Sequence, residues 1–443
     1  MSLQEWFNPQ LLEGALTIIR RLCDNGHEAY FAGGAVRDFL LKKDIHEVDI
    51  ATSASPDEVE NLFSKTVSVG KAFGVIVVVE TSINYEVTTF RKESEYQDGR
   101  HPSSVEFTDA KRDVQRRDFT VNALFLNPQN EQIIDYVQGQ EDLKRRLIRT
   151  VGSPDHRFSE DKLRLLRALR LACQLGFEIE EETYRQIKQF SPELAQVSWE
   201  RIRDELLKIL TGPDPSRGLN LLFDSGVLEQ ILPEVAAMDG VEQPPEFHPE
   251  GDVFMHTCLM FNLSRKLTDT LALGILLHDV GKPPTFTIKE RIRFDGHVEQ
   301  GAQMAFDICR RLRLSNDVTD QVVDLVKHHL RFIHVQEMRE STLKKFLRKK
   351  NFADHLELHR LDCLGSHGNL THYNFCLERQ KKLTQEQIRP KPLVNGQHLI
   401  DLGLTPGPIF SEILGVLEDL QLEGHLTSKE ESLEWVKGKY LTD

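Results

Sequence analysis

Residues 29–41, AYFAGGAVRDFLL, decide how the first third of the chain folds. An apolar run meets the pair Gly33 and Gly34, and an amphipathic stretch carrying Arg37 and Asp38 follows. That order reads as strand, tight turn and helix, with glycine where the backbone must turn sharply. No third glycine completes a dinucleotide-binding fingerprint, and no Gly-Lys-Ser/Thr completes a P-loop. What the glycine pair serves must be read from the residues around it.

Downstream, GVIVVVE (74–80) and YEVTTF (85–90) are β-branched runs separated by TSIN, which predicts a hairpin, and strand-like and helical runs alternate to about Thr150. From RFSEDKLRLLRALRLACQLGF (157–177) onward the apolar spacing is helical, punctuated by TGPDPSRG and EQPPEFHPEGD. The expected fold class is therefore α+β: a mixed α/β head over 1–150, then mostly helix, with no internal repeat or low-complexity tract. The basic run KKFLRKK (344–350) reads as a solvated helix face.

At 443 residues the chain exceeds one hydrophobic core, so several domains are expected. Its 55 Lys+Arg against 69 Asp+Glu give a net charge of −14, so any nucleic-acid contact must come from local basic patches. Six cysteines without a CxxC pair argue against a zinc ribbon or a disulfide framework and predict reduced thiols in a cytoplasmic protein. The opening MSLQEWFNPQ does not read as a secretion signal, and no apolar run approaches the ~18 residues of a membrane span.

Shortly after the glycine turn comes DIHEVDIATSASP (44–56), where Glu47 and Asp49 flank Val48. Alternate side chains of a strand share a face, so the two carboxylates point the same way. Oxygen-only pairs suit Mg²⁺, which keeps several waters and shares substrate phosphates.

In order, GGAVRD, EVDIATSA, RRDFTVNAL and EDKLRLLRALR resemble the bacterial-type (class II) tRNA nucleotidyltransferase and poly(A) polymerase family over about the first half of the chain. The resemblance implies a nucleotidyltransferase head whose turn holds the triphosphate of an incoming nucleotide, with Gly34 and Arg37 in that role. It implies two Mg²⁺ on Glu47 and Asp49, one activating an RNA 3′-hydroxyl and one clamping the triphosphate as pyrophosphate leaves. Glu47 stands where the family has Asp. Glu86 in YEVTTFR is a candidate third carboxylate across the hairpin. Arg117 is expected at the triphosphate, with 119–124 in the core. EYQDGRHP (95–102) resembles the family's flexible loop, which makes Asp98, Gly99 and Arg100 candidates for the switch from C to A, although DG alone also reads as a turn.

Asp161, Arg164, Arg167 and Arg170 recur every three residues, which on a helix makes one slowly turning stripe opposite Leu163, Leu166 and Leu169. An ordinary helix face explains the leucines but not three mutually repelling arginines. Adenine and cytosine both present an exocyclic NH₂ beside a ring-nitrogen acceptor, whereas guanine and uracil present a carbonyl beside an N–H. A carboxylate only accepts and a guanidinium only donates, so Asp161 with Arg164 fits A and C and rejects G and U. The pair coincides with the family's Glu-Asp-x-x-Arg motif at Glu160, Asp161 and Arg164.

In the helical half, VFMHTCLM, ILLHDVGKP, FDGHVEQG, VKHHLRF and HRLDCLGSHG distribute histidines over successive helices. The adjacent His-Asp followed by Val-Gly-Lys resembles the HD phosphohydrolase superfamily, which implies metal ligands at His256, His278, Asp279 and Asp362, with His297 and His329 for a second metal. Mixed imidazole and carboxylate ligands favour a transition metal such as Mn, Fe, Co or Ni over Mg²⁺. The stretch beginning PLVNGQHLIDLGL resembles the tail of related enzymes.

These readings predict a helical neck over 151–240 carrying the base-reading motif and RNA contacts, an HD domain over 241–375 and a helical tail over 376–443. The implied activity is template-independent addition of CMP and AMP from CTP and ATP to the tRNA 3′ end. The rivals are an A-only enzyme, a poly(A) polymerase, and an HD phosphohydrolase with a nucleotide-sensing head. Neither DNA nor a membrane is an expected partner.

Overall fold

In the computed structural model, the main sheet of the head is built from β1 (Ala29–Ala32), β2 (Asp49–Thr52), β3 (Thr66–Gly70), β4 (Val75–Glu80), β5 (Ile83–Thr89), β6 (Leu124–Asn127) and β7 (Gln132–Asp135). The structure describes residues 2–93, 105–246 and 248–441, so Asp98, Gly99 and Arg100 lie outside the described residues. The strands form one sheet in the order β3-β4-β5-β2-β1-β6-β7, in which the β2–β5 pair is parallel and the others antiparallel. Thr81 and Ser82 turn the β4–β5 hairpin with φ of 49° and 64°, the paired left-handed geometry that matches strand twist. The turn is two residues long; Ile83 and Asn84 of the TSIN segment already belong to β5.

The helix Pro9–Asp24 starts with the Asn8 side chain accepting from the N–H of Gln10 and Leu11 and with proline in its first turn. Its buried face, including Leu11, Ile18 and Leu22, packs on the sheet. Gly14 is required there, because a Cβ would come within 2.3 Å of the Tyr85 hydroxyl, which donates to the Leu11 carbonyl at 3.0 Å. On the other side Phe90, Phe125 and Val114 form a buried cluster with Ala32 and Ala51.

By chain contacts the protein divides into two units, Met1–Pro233 and Glu234–Asp443. The first unit includes the neck helices Pro154–Glu160, Leu163–Leu175 and Trp199–Leu210. Here the expected single helix through EDKLRLLRALR is corrected. Asp161 is extended, at φ −147° and ψ 107°, and closes the first helix; its Oδ1 accepts from the Leu163 N–H at 3.0 Å. A short carboxylate that captures a backbone N–H competes with helix continuation. Arg164, Arg167 and Arg170 ride the second helix, and Asp161 stands at its entrance.

The second unit is helical. Val253–Leu263, Asp269–Leu277, His297–Arg311, Asn316–His328 and Phe352–Gly365 pack together, and Leu271 to Leu277 is buried without interruption. Further along, Pro408–Glu423 and Lys429–Tyr440 enclose Leu399, Ile413, Leu417 and Val436. The run 344–350 is not simply solvated: Lys345 pairs with Asp419 at 2.6 Å, Arg348 with Glu418 at 2.7 Å, Lys349 with Asp324 at 2.5 Å and Lys350 with Asp317 at 2.8 Å. Acidic neighbours use up its charge. Among the described residues no helix is long and apolar enough to cross a membrane.

Candidate functional sites

β1 ends at Ala32, and Gly33 turns the chain with φ 67° and ψ −135° into the helix Gly34–Leu40. Only glycine adopts that conformation without strain. Ala32 lies opposite Asp49 across β1–β2, and Asp49 lies beside Glu86 across β2–β5. The glycine turn and two carboxylates therefore meet on the central strands of the sheet, where β1 ends and β2 begins, with Glu86 on β5 next to Asp49. A cavity of about 390 Å³ opens there, lined by Gly33, Gly34, Asp49, Glu86, Arg116, Arg117, Asp118, Asn122, Asp161, Arg164, Arg167 and Arg201. Desolvation, then the negative charges of Glu86 and Glu47, push the Asp49 carboxyl up to about 6 against the pull of Arg117. Immediately around Asp49 the carboxylates of Glu86 and Glu47 outweigh the single Arg117, an imbalance that a divalent ion relieves, and these donors are all oxygen, which fits Mg²⁺.

Arg117 is aimed by Asp113, whose Oδ2 accepts from its Nε and Nη2 at 3.1 Å, and its guanidinium lies over the Phe125 ring at 4.7 Å. Asp113 also accepts from Arg116 Nε at 2.8 Å and from the Arg91 N–H at 3.2 Å. It is 1% exposed; burial disfavours its charge, yet Arg116 and Arg117 hold its carboxyl below the usual range. The spacing Asp113, Arg116, Arg117 (i, i+3, i+4) was a legible signal that the sequence reading missed.

At the neck, Asp161 receives a guanidinium fork from Arg201, Nη2 to Oδ2 at 2.7 Å and Nη1 to Oδ1 at 3.2 Å. Arg201 was not anticipated, since nothing in its local sequence marks it. Arg164 donates to Glu160 and to the carbonyls of Arg157 and Arg116. Arg167 is paired with Asp118, and Arg170 with Glu205 at 2.5 Å and Gln174 at 2.8 Å. The three arginines of the stripe are therefore not left to repel one another: each is paired with a carboxylate, Arg164 with Glu160, Arg167 with Asp118 and Arg170 with Glu205. Arg170 is absent from the cavity lining, as is Glu47, an exposed residue just before β2. The Arg37 guanidinium is likewise turned to Asp38 at 2.7 Å and Asn122 at 2.7 Å.

In the second unit all six expected ligands converge. His256 Nε2 is 3.2 Å from Asp362 Oδ1, His278 Nε2 is 3.1 Å from Asp279 Oδ2, and Asp279 Oδ1 is 3.9 Å from His297 Nε2 and 3.8 Å from His329 Nε2. His256, His278 and Asp362 form one group of potential ligand atoms within 4.8 Å, and Asp279, His297 and His329 another. His278, His297 and His329 each set Nδ1 on the carbonyl three residues back, at 2.9, 2.8 and 2.7 Å. A carbonyl only accepts, so Nδ1 carries the proton and Nε2 keeps its lone pair, the tautomer a metal requires. The Nε2 atoms of His278 and His297 are buried and have no hydrogen-bond partner. Burial disfavours charge on His256, but Asp362 and Glu250 raise it to about 9; a proton sits where a bound cation would supply the charge. Glu250 and His248, 2.8 Å apart, extend the cluster and were not anticipated, and Lys282 bonds Asp279 at 2.6 Å.

Residues 29–149 match the Poly A polymerase head domain, 176–238 the probable RNA and SrmB-binding site of polymerase A, and 253–358 the HD domain. The CCA-adding enzyme of Streptococcus gordonii is 34% identical over 428 residues, 96% of each chain. That of Geobacillus sp. (strain WCH70) is 51% identical over 214 residues, 48% of this chain and about half, 53%, of that enzyme. A crystal structure of the Bacillus stearothermophilus CCA-adding enzyme in complex with CTP matches with a TM-score of 0.73 at 29% identity, covering 98% of both chains. Fold and matches define a nucleotidyltransferase of the poly(A) polymerase type with an HD domain. Within that class, the chain belongs to the CCA-adding enzyme family, the tRNA nucleotidyltransferases.

Proposed function

We propose that the chain adds CMP and AMP, from CTP and ATP, to the 3′ end of tRNA in the cytoplasm without a nucleic-acid template, with head, neck, HD domain and tail at 1–150, 151–240, 241–375 and 376–443. One observation carries the reading: a single cavity gathers Asp49 and Glu86, the guanidinium of Arg117, and Asp161 beside Arg164. Asp49 and Glu47 are the proposed Mg²⁺ ligands, with Glu86 beside Asp49. Bound Mg²⁺ would lower the pKa of the RNA 3′-hydroxyl and offset charge on the triphosphate. Arg117 receives the triphosphate, held in orientation by Asp113. Gly33 and Gly34 keep the wall free of side chains where the nucleotide approaches, with Arg37 behind them. Asp161 accepts from the exocyclic amine of A or C while Arg164 donates to the ring nitrogen; G or U would leave both unpaired.

For the second unit we propose a transition-metal centre on His256, His278, Asp279 and Asp362, extended by His297 and His329. It is supported by the partnerless Nε2 atoms of His278 and His297.

The primary test is extension of labelled tRNA ending at the discriminator base, at CC and at CCA, with CTP and ATP supplied separately. The reading expects C addition to the first, A addition to the second and none to the third. Extension of the CC end alone would make it an A-only enzyme, and continued A addition to the CCA end a poly(A) polymerase. No extension of any end would overturn it.

A further inference from the structure

Next to the HD cluster lies a cavity of about 710 Å³ lined by Pro244, Glu246, residues 291–295, His297 and Leu330. Much of its wall is the second strand, Ile292–Arg293, of a short hairpin with Thr287–Ile288, followed by the segment that leads into the helix starting at His297. Two of its lining side chains share an anomaly. The Nε of Arg293 and the Nε2 of His297 are both buried without a hydrogen-bond partner. A buried guanidinium nitrogen without an acceptor is costly, and guanidinium is matched to oxyanions. Glu246 and Asp295, the carboxylates on the same wall, are exposed, and neither pairs with Arg293 among the described residues. Beside Arg293 stands Phe294, its ring 5.9 Å from Phe286 and 5.3 Å from the Lys282 ammonium. Leu330, 38% exposed, faces the same space. Cation, aromatic ring and aliphatic surface thus adjoin His297, one of the proposed metal ligands.

We propose that this cavity is the substrate subsite of the HD centre, taking the phosphoryl group of a phosphoester on Arg293 and its aromatic or apolar moiety against Phe294 and Leu330. The proposal rests on the reading of the neighbouring cluster as a metal centre, which the anion site would serve by holding phosphoryl oxygens beside His297. Arg293 acts here as a binding residue, and its charge-assisted fork is the selective element.

The test is calorimetric titration of the full-length protein with phenylphosphonate, whose P–C bond resists hydrolysis, and with benzoate as the carboxylate control. Both are measured before and after chelation, with metal content assayed alongside. Wild type should bind phenylphosphonate and discriminate against benzoate. Arg293→Gln should weaken phenylphosphonate binding roughly 10- to 150-fold, and Arg293→Lys, which keeps charge but loses the fork, should fall between. Urea unfolding verifies that both variants fold. Wild-type affinity in a folded Arg293→Gln protein, equal affinity for benzoate, or no binding by wild type would overturn the proposal. Dependence on Arg293 that survives in a protein found to hold no metal would sink the metal reading and leave the anion site standing.

Discussion

Replacing Asp161 with alanine tests whether the neck selects the base. An ionised carboxylate has about four acceptor positions. In the folded protein Oδ1 accepts from Leu163 N at 3.0 Å and Arg201 Nη1 at 3.2 Å, and Oδ2 from Arg201 Nη2 at 2.7 Å. One position is left for an incoming exocyclic amine, so the substitution removes one charge-assisted hydrogen bond to adenine or cytosine. At about 1.5–3 kcal/mol, that is a 10- to 150-fold loss of discrimination. Freeing Arg201, whose side chain is only 23% exposed, should cost about 1–3 kcal/mol of stability, and urea unfolding verifies that the variant still folds. The assay is single-turnover incorporation of each of the four nucleotides onto tRNA ending at the discriminator base and at CC. The ratio of kcat/KM for A over G and for C over U should fall by that factor, even as the absolute rates drop from looser positioning. Wild-type ratios in a normally folded variant would mean that Asp161 is only a helix-entry cap and that the base is chosen elsewhere.

Three further outcomes are expected. Asp49, raised to about 6 in the folded protein against about 3.9 in an unfolded chain, contributes stability that is full below the unfolded value and lost as pH rises through about 6. In chelator-treated protein the thermal midpoint of Asp49→Asn minus that of wild type should therefore grow from pH 4 to pH 7, and a flat difference would remove the carboxylate crowding. Asp113→Ala leaves Arg116 and Arg117 without the carboxylate they share. Urea unfolding should show a loss of about 3 kcal/mol, and the KM for ATP should rise more than kcat falls; unchanged KM would reduce Asp113 to a structural role. The double change His278→Ala with Asp279→Ala should strip transition metal from the purified protein without slowing CMP or AMP incorporation, as elemental analysis and the extension assay would report. Undiminished metal would place the ion elsewhere.

Much of this was legible in the chain because its signals are local. Gly33–Gly34 after an apolar run announced the turn, β-branched alternation announced β4 and β5, and the histidines occupy positions whose roles depend on residue type. The errors share a physical origin. Three-residue spacing at Asp161 and Arg164 looked continuous because periodicity does not reveal a carboxylate that captures the N–H of Leu163. Asp118 and Glu205 neutralise Arg167 and Arg170 from 49 and 35 residues away, a pairing that no window of sequence exposes. Arg201 belongs to the same class: it reaches Asp161 across 40 residues. Glu250 and Arg293 escaped notice because a lone acid in a turn or a lone base in a two-residue strand looks like any surface residue until burial distinguishes it.

The pairing of Arg167 and Arg170 with distant carboxylates also constrains how the sequence can drift. Arg170 and Glu205 are 14% and 5% exposed at the side chain, so a chance mutation of either strands its partner's charge where water cannot replace it. The lower-cost route exchanges both members together. Descendants of this chain should therefore preserve or lose the two as a unit, an inheritance pattern readable as co-varying columns among its relatives. Arg167 and Asp118 should drift less freely, because both also face the cavity.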